Sequence, residues 1–282
     1  MNRSHASLIS IIVAVFNDRA TLQQCIDSVA QQTYPNKELI IIDGGSDDGT
    51  VDVLKANQEK IAYWISEPDR GIYHAWNKGL AQSTGEWIYF LGADDYFWDT
   101  QVLARMAEQL EKLPADIRVA YGQIMLLNAG GENLYPAGEP WGKIKGRFRK
   151  IMCIPHQSVM HRRSLFERHG PFDESFRITG DYELLLRELT TADAAFIPDL
   201  IITGMRQGGI SSKPENSLAL LREARRAQLM HGLNWPSRIW LRVTLNAYLR
   251  LLLWRLLGER RARQIFDWGR RIMGLPAFWT RT

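Results

Sequence analysis

The fold is decided by the stretch Glu86-Trp-Ile-Tyr-Phe-Leu-Gly-Ala-Asp-Asp95, in which an apolar run ends in two adjacent aspartates. An apolar run of this length, followed by a loop, predicts a buried strand. Carboxylates beside an apolar strand are costly unless a partner compensates their charge, and hard divalent cations prefer oxygen ligands. Because ligands of α/β sheets bind at the carboxyl ends of strands, Asp94 and Asp95 are candidate metal-site residues. A solvated acidic turn is the alternative for such a pair taken alone.

Upstream of this stretch, apolar runs alternate with helical patterns. The spacing predicts strands over 10–16, 38–42, 61–66 and 86–91, separated by three helices. The first helix opens at Asn17-Asp18, and Thr21 and Gln24 within it have the spacing of a capping box. This alternation predicts an α/β fold with a mainly parallel sheet flanked by helices.

The pattern after Asp95 is less regular. It predicts, in order, a helix over 99–113, a hairpin of strands over 117–127 and 132–136, an irregular basic segment over 141–152, a short strand over 155–160, a helix from 178 onward, an extended segment over 194–205, and a loop over 207–212 of the kind that closes over a ligand.

Charge is distributed unevenly along the 282 residues. Residues 235–282 contain ten arginines, no lysine and two acids, whereas the remainder carries 25 basic and 29 acidic residues. The acidic body argues against nucleic acid as a partner, and the basic segment is expected to meet an anionic partner. Two distant cysteines, Cys25 and Cys153, favour a reducing cytoplasm, and the N-terminal apolar run is interpreted as a strand because it lacks a small-residue cleavage site.

Several polar side chains are placed where a ligand of this sheet would lie. Asp43 ends the second strand and precedes a glycine-rich turn, so its carboxylate is a candidate for a base or ribose contact, with turn capping as the alternative. Arg70, Asn77 and Lys78 bracket a short helix and suit diphosphate or nucleotide contacts by charge and amide donors. Solvated surface charge is the alternative for each of the three.

Four segments together carry a resemblance to a known family. They are Ile11-Ile-Val-Ala-Val-Phe-Asn17, Asp43-Gly-Gly-Ser-Asp-Asp-Gly-Thr50, Glu67-Pro-Asp-Arg-Gly-Ile-Tyr-His-Ala-Trp-Asn-Lys-Gly79 and Leu91-Gly-Ala-Asp-Asp95. Their order and spacing resemble those of family 2 glycosyltransferases, which are inverting, metal-dependent enzymes of the Rossmann-like GT-A fold. The resemblance covers about residues 8–215 and is nearest to bacterial exopolysaccharide and O-antigen enzymes of the colanic-acid type.

The resemblance implies roles on the donor side. Asp43 matches the contact to the nucleotide base, and Asp95 matches the aspartate that reaches a Mn²⁺ or Mg²⁺ ion. Asp94 is directed toward the ribose or donor sugar, and Phe16 joins the donor-binding residues together with Arg70, Asn77 and Lys78. The implied donor is a nucleoside-diphosphate sugar.

The resemblance also implies roles on the acceptor side. Asp181 matches the catalytic base, although its setting Gly-Asp-Tyr-Glu departs from the commoner Glu-Asp pair and leaves Glu183 as a rival. His156-Gln157 and Gly208-Gly209 are similar to further cleft segments. His156 is a candidate for donor or acceptor binding, with a core histidine as the alternative. Residues 1–98 then form the donor half and 99–215 the acceptor and base half of one domain.

Residues 216–282 are predicted to form a helical, basic extension. Over 239–257, leucines and tryptophans cover most of a helix, and one stripe carries Arg238, Arg242, Asn246 and Arg250. This pattern favours a helix that lies in the interface of an anionic membrane. The alternatives are a soluble packing helix and a membrane span, which a central arginine makes costly.

The sequence therefore predicts a glycosyltransferase at the inner face of the plasma membrane that acts on a lipid-linked or other glycan acceptor. A non-catalytic nucleotide-sugar-binding or membrane scaffold protein is one alternative. A nucleotidyltransferase is another, but it requires a basic glycine-rich loop after the first strand, where Asn17-Asp18-Arg19 stands.

Overall fold

The computed structural model describes residues 7–128, 130–206, 216–234, 236–272 and 274. It contains one mixed sheet with helices on both faces. The strands are β1 Ile9–Val15, β2 Lys37–Asp43, β3 Tyr63–Ser66, β4 Trp87–Gly92, β5 Tyr96–Phe97, β6 Val119–Leu127, β7 Asn133–Ala137, β8 Val159–Arg162 and β9 Ala195–Arg206. The helices are α1 Arg19–Ala30, α2 Thr50–Ala56, α3 Ile72–Gln82, α4 Val102–Leu110, α5 Trp141–Phe148, α6 Arg163–His169, α7 Gly180–Leu189, α8 Ser217–Met230 and α9 Arg238–Ile272.

The sheet order is β3-β2-β1-β4-β8-β6-β9-β5, with β7 paired to β6. The first four strands in this order are parallel, whereas β8 is antiparallel to both of its neighbours. In register, Val15 of β1 lies beside Asp43 of β2, and Ala14 lies beside Gly92 of β4. The carboxyl ends of β1, β2 and β4 therefore share one edge of the sheet. The predicted α/β fold with its initial strand–helix alternation is confirmed.

The core consists of two apolar clusters, one on each face of the sheet. Successive strand residues point to opposite faces, so Ile11 and Val13 of β1 enter one cluster and Ile12 enters the other. The first cluster packs beneath α1, α2 and α4. The second, which is rich in aromatic residues, packs beneath α3, α5, α7 and α8. Helix α3 and helix α7, which carry candidate site residues, are thus anchored on the same face.

One predicted irregular segment is a helix. Residues 141–152 were expected to be irregular because they are basic and contain two glycines, but α5 spans Trp141–Phe148. The helix buries Trp141, Ile144 and Phe148, whose spacing is that of one helical face. Burial of these three side chains outweighs the low helix propensity of the glycines.

Two local predictions are also wrong. Residues 156–158, expected within a short strand, form a 3₁₀ turn in which Ser158 donates its N–H and its hydroxyl to the Pro155 carbonyl, and β8 begins only at Val159. The capping box is absent as well. Thr21 lies inside α1, and its hydroxyl donates to the Ala93 carbonyl at 3.1 Å. The hydroxyl that was expected to cap the helix is therefore engaged in a long-range contact.

The C-terminal helices differ in their surroundings. Helix α8 belongs to the body, since Ala224 and Ala227 are buried in the second cluster. Helix α9 packs on α8 and is interrupted at Gly258, whose φ of 74° is left-handed. Most of its leucines are exposed, and no helix in the described ranges is long and apolar enough to cross a membrane. The predicted closing loop at 207–212 lies outside the described residues.

Candidate functional site

Asp43 ends β2 at the shared edge of the sheet and is fully buried. Its carboxylate accepts hydrogen bonds from the backbone N–H groups of Gly45 and Ser46 and from the hydroxyls of Ser46 and Ser66. These bonds hold the glycine turn, where Gly45 has a φ of 84°. The structure thus displays the turn-capping alternative, although Oδ1 of Asp43 accepts only the Ser46 hydroxyl among these bonds.

Phe16 stands at the mouth of this turn, directly after β1. Its side chain is 65% exposed, and a Cβ at Gly44 would lie 3.2 Å from its ring. An aromatic ring face is suited to stacking on a planar base or a sugar. The role of Phe16 in donor binding stays a prediction.

Asp94 and Asp95 follow β4 at the same edge. Asp95 is 4% exposed, and its Oδ1 accepts the backbone N–H of Arg206 at 3.1 Å. Burial raises the pKa of Asp95 well above its ordinary value, and the neighbouring Asp94 raises it further. Burial also raises the pKa of Asp94, and Asp18 adds to this effect. Three carboxyl groups therefore crowd one edge of the sheet.

Arg206, at the end of β9, is a cation that contacts this acidic edge. Its guanidinium donates to the Asp94 carbonyl at 3.1 Å and to Gln24 Oε1 at 2.6 Å. It also lies 5.8 Å from the centre of the Tyr96 ring. No local sequence pattern marks Arg206 as a site residue, because only the antiparallel pairing of β9 with β5 brings it beside Asp94 and Asp95.

The donor set fits a divalent cation that is completed by a ligand. No cluster of three or more His, Cys, Asp or Glu side chains suited to a metal occurs in the part of the chain that the structure describes. Mg²⁺, however, is usually held by one or two carboxylates plus the phosphates of a substrate. Asp94 and Asp95 could supply the protein part of a site of this kind. Burial disfavours the charged form of both carboxyl groups, and a bound cation would offset the free-energy cost of ionising them.

The predicted diphosphate contacts on α3 are largely engaged within the protein. The Asn77 amide donates to the Phe172 carbonyl at 3.0 Å and to Glu174 at 3.1 Å, and its oxygen accepts the Phe172 N–H. Lys78 is paired with Glu67 at 2.8 Å and with Asp69 at 2.6 Å. The side chains of Asn77 and Lys78 therefore hold neighbouring segments in place. These contacts do not support the predicted role of the two residues in donor binding. Arg70 is paired with Glu174 at 2.6 Å, but its side chain is 71% exposed.

Asp181 lies in the first turn of α7, where it faces α3. Tyr73 donates its hydroxyl to Asp181 Oδ1 at 3.4 Å. Burial raises the pKa of Asp181 to about 6, although hydrogen bonds from the backbone and from Tyr73 oppose the rise. Part of the Asp181 residue is accessible to solvent, although burial dominates the environment of its carboxyl group. Gly180 allows this arrangement, because a Cβ there would lie 2.8 Å from the Tyr73 ring.

Glu183, the rival base, occupies a different environment. It is 2% exposed and forms an ion pair with Arg187 at 2.5 Å. His231 contacts its other oxygen at 2.9 Å. Both oxygens of Glu183 are therefore engaged on the side of α7 that packs against α8, which disfavours this residue as the base and leaves Asp181.

His156 lies in the aromatic core beneath α3. It is 6% exposed and stacks on Trp76 and Phe90, with ring centroids 5.1 Å and 5.9 Å away. Burial lowers its pKa to about 3, so the ring is neutral at physiological pH. The structure corresponds to the core-histidine alternative, and the predicted ligand contact is not supported.

Comparison with known proteins gives a family for the chain. The family described as Glycosyl transferase family 2 matches residues 10–169. A PGL/p-HBAD biosynthesis glycosyltransferase of Mycobacterium tuberculosis is 32% identical over 186 residues, which are 64% of this chain and 70% of the relative. An uncharacterized glycosyltransferase of the same species is 32% identical over 232 residues, which are 80% of this chain and 85% of the relative.

Solved structures share the fold at low sequence identity. Staphylococcus aureus TarS matches with a TM-score of 0.59 and 16% identity over 82% of this chain, which spans only 44% of that protein. TarS residues 1–349 with UDP-GlcNAc match with a TM-score of 0.61 and 17% identity, covering 78% of this chain and 66% of that one. A mannosyltransferase of Pyrobaculum calidifontis, in complex with GDP-Man and Mn²⁺, matches with a TM-score of 0.61 and 17% identity over 95% of this chain and 81% of that one.

Proposed function

The chain belongs to glycosyltransferase family 2, and we propose that it transfers a sugar, with inversion, from a nucleoside-diphosphate sugar to a hydroxyl of a lipid-linked or other glycan acceptor in the synthesis of a bacterial surface polysaccharide. The observation that carries the proposal is Asp181. Its carboxyl group, whose pKa burial raises to about 6, lies at the start of a helix and accepts a hydrogen bond from Tyr73.

Asp181 acts as the general base. At neutral pH a carboxyl group with a pKa of about 6 is mostly ionised, yet it binds a proton more tightly than an ordinary aspartate. It accepts the proton of the acceptor hydroxyl while that oxygen attacks the anomeric carbon of the donor. The bond between the anomeric carbon and the diphosphate breaks in the same displacement, so the configuration inverts and no covalent enzyme intermediate forms.

The shared edge of the sheet binds the donor. Asp95 and Asp94 would hold Mn²⁺ or Mg²⁺, which when bound stabilises the negative charge of the departing diphosphate. Phe16 stacks on the nucleotide and Asp43 shapes the adjacent turn. Support for this class of donor comes from TarS, solved with UDP-GlcNAc, and from the Pyrobaculum mannosyltransferase, solved with GDP-Man and Mn²⁺. Arg70, which lies just before α3 and has an exposed side chain, is the residue of this segment that we retain as a diphosphate contact.

Helix α9 docks the enzyme on an anionic membrane at the cytoplasmic face. Its exposed apolar side chains include Leu245, Leu256 and Trp268, which are 61%, 69% and 67% exposed. A surface cavity of about 600 Å³ on the same helix is lined by Leu257, Ile265, Trp268, Arg261, Arg271, Gln264 and the buried Asp267. Apolar side chains beside arginines suit the acyl and headgroup boundary of anionic lipids, and such docking would bring the site near a lipid-linked acceptor.

A donor screen tests the function. Nucleotide sugars are added with Mn²⁺ to the full chain, and the melting temperature is measured, because a ligand that binds the folded state raises it by mass action. The donor so found is then tested for release of its nucleoside diphosphate with the wild type, Asp181→Asn and Asp116→Asn, the last altering an exposed aspartate as the matched control.

We expect Asp181→Asn to keep the melting shift that the donor produces and to lose turnover, while Asp116→Asn keeps both. Turnover near the wild-type level in Asp181→Asn would remove the base from the proposal. Absence of any melting shift across the donors would contradict nucleotide-sugar binding and would favour a scaffold role.

A further inference from the structure

Glu223, on helix α8, caps the start of the helix that carries Asp181. Its Oε2 accepts the backbone N–H of Ile178 at 2.8 Å and that of Thr179 at 3.1 Å. Its Oε1 accepts the N–H of Arg177 at 3.0 Å. One carboxylate thus binds three consecutive backbone donors immediately before α7. The positive end of the α7 dipole also favours a carboxylate at this position.

Two further polar contacts join the same pair of helices. Gln228 Nε2 lies 3.3 Å from the Tyr182 hydroxyl, and His231 Nε2 lies 2.9 Å from Glu183. Tyr182 and Glu183 directly follow Asp181 in the first turns of α7. The contacts of Glu223 therefore belong to a continuous seam between α8 and α7, which fixes the orientation of the turn that presents Asp181.

Charge adds to this geometry. Burial is the largest cause of the raised pKa of Asp181, and the negative charge of Glu223 raises that pKa further. Within the described part of the chain, Tyr73 of α3 is the other titratable side chain that faces Asp181, and its hydroxyl donates to the carboxyl. On α7 itself, Glu183 is paired with Arg187. Among these groups, Glu223 is the one whose charge opposes the ionisation of Asp181.

We propose that Glu223 is a positioning residue for Asp181, which holds the first turn of α7 in place and, through its negative charge, keeps the Asp181 carboxylate a stronger base. The inference rests on the proposed function, because it identifies what sets the orientation and basicity of the acceptor base in that site. It also places α8, which precedes the exposed helix α9, against the segment that leads into the turn carrying Asp181.

Two substitutions separate the two effects. Glu223→Gln removes the charge but keeps one acceptor oxygen, whereas Glu223→Asp keeps the charge and shortens the side chain. Arg222→Gln, at an exposed position on the same helix, is the matched control. The measurements are kcat and the donor KM between pH 5 and pH 9, with the donor found in the screen.

We expect Glu223→Gln to move the acid limb of kcat to lower pH by roughly half a unit, because removing a nearby like charge favours ionisation. Glu223→Asp should leave the acid limb in place and lower kcat on the order of tenfold, since a displaced catalytic group loses its alignment. The donor KM should change in neither variant. A Glu223→Gln acid limb that coincides with the wild type would overturn the proposal, even if kcat falls.

A second measurement does not require turnover. The change in melting temperature caused by Glu223→Gln is measured at pH 5 and at pH 8 in two backgrounds. One background is the wild type and the other is the Asp181→Asn variant. If Glu223 opposes the ionisation of Asp181, then in the wild-type background Glu223→Gln should raise the melting temperature by about 1–3 °C more at pH 8 than at pH 5. In the Asp181→Asn background this difference should be absent. Equal pH dependence in the two backgrounds would overturn the proposal. If the coupling is seen but no sugar transfer is detected with any donor, the proposed function is refuted, while the electrostatic coupling between Glu223 and Asp181 stands.

Discussion

The substitution Asp181→Asn should stabilise the protein, and more so as the pH rises. The pKa of Asp181 in the folded chain is about 6, whereas its ordinary value is 3.8, and burial is the main cause. The folded state therefore binds the proton more tightly than the unfolded state, and ionisation of Asp181 lowers the free energy of unfolding as the pH rises through this window. Asparagine cannot ionise, so the variant escapes this cost.

The size of the effect follows from the two pKa values. Each pKa unit is worth roughly 1.4 kcal/mol, so the cost of ionising Asp181 reaches about 3 kcal/mol at pH 8. At pH 5 the group is only partly ionised in the folded state, and the cost is about 1.6 kcal/mol. The free-energy gain of Asp181→Asn should thus be about 1.4 kcal/mol greater at pH 8 than at pH 5, or about 3–6 °C in melting temperature.

The assay is a pair of thermal melts of the variant and the wild type in matched buffers at pH 5 and pH 8. Hydrogen bonds that asparagine makes or loses contribute a constant offset, so the difference between the two pH values isolates the ionisation. Asp116→Asn, at an exposed site, should give the same small shift at both pH values. A gain for Asp181→Asn that is equal at pH 5 and pH 8 would refute the reasoning, because the Asp181 carboxyl would then have no raised pKa.

Four other outcomes are expected. In the wild type, kcat should fall as the pH drops below about 6, since protonated Asp181 cannot accept a proton; a profile flat to pH 5 would exclude it as the base. Gly180→Ala should destabilise the chain by about 1–3 kcal/mol in a denaturant titration, because its Cβ meets the Tyr73 ring, whereas Gly142→Ala, with open space around it, should be neutral or stabilising; equal effects would contradict the packing. Asp95→Ala should remove the Mn²⁺-dependent part of the melting shift given by the donor, and an unchanged Mn²⁺ response would remove Asp95 from the metal site. Leu245→Gln with Leu256→Gln should reduce co-sedimentation with vesicles that contain anionic lipid, whereas Leu54→Met in the core of the body should not, and undiminished pelleting would separate α9 from the membrane.

Those parts of the fold that follow from local pattern were predictable from the sequence. Strands β1 to β4 are continuous apolar runs between helices, and their parallel pairing follows from that alternation, which is why the shared edge with Asp43 and Asp94 was expected. The resemblance to family 2 glycosyltransferases rested on the same segments and is confirmed. Helix α5 was missed because two glycines and several cations obscured the spacing of Trp141, Ile144 and Phe148.

Several partners of individual side chains were not predictable, because they come from distant segments. Asn77 looks like a ligand contact in isolation, but a loop 95 positions later engages it, whereas Lys78 pairs with acids of its own segment. Arg206 and Glu223 carry no local motif, and each acquires its place only through the pairing of β9 and the docking of α8. The bond between Glu183 and Arg187 has i,i+4 spacing, but the contact with His231 that occupies Glu183 Oε1 comes from 48 positions later.

The contacts of α3 have a consequence for synthesis of the chain on the ribosome. Asn77 binds residues 95 and 97 positions later, and Tyr73 binds Asp181, which follows 108 positions later. Helix α3 therefore cannot reach its final environment until the chain has emerged beyond α7, even though strands β1 to β4 have been available for pairing since residue 92. Strands β1 and β2 can already cover one side of α3, but the side that packs on Phe172 should stay exposed in the nascent first half for the time needed to add about 100 residues. That time is roughly 5–20 s, during which a chaperone can bind the exposed side.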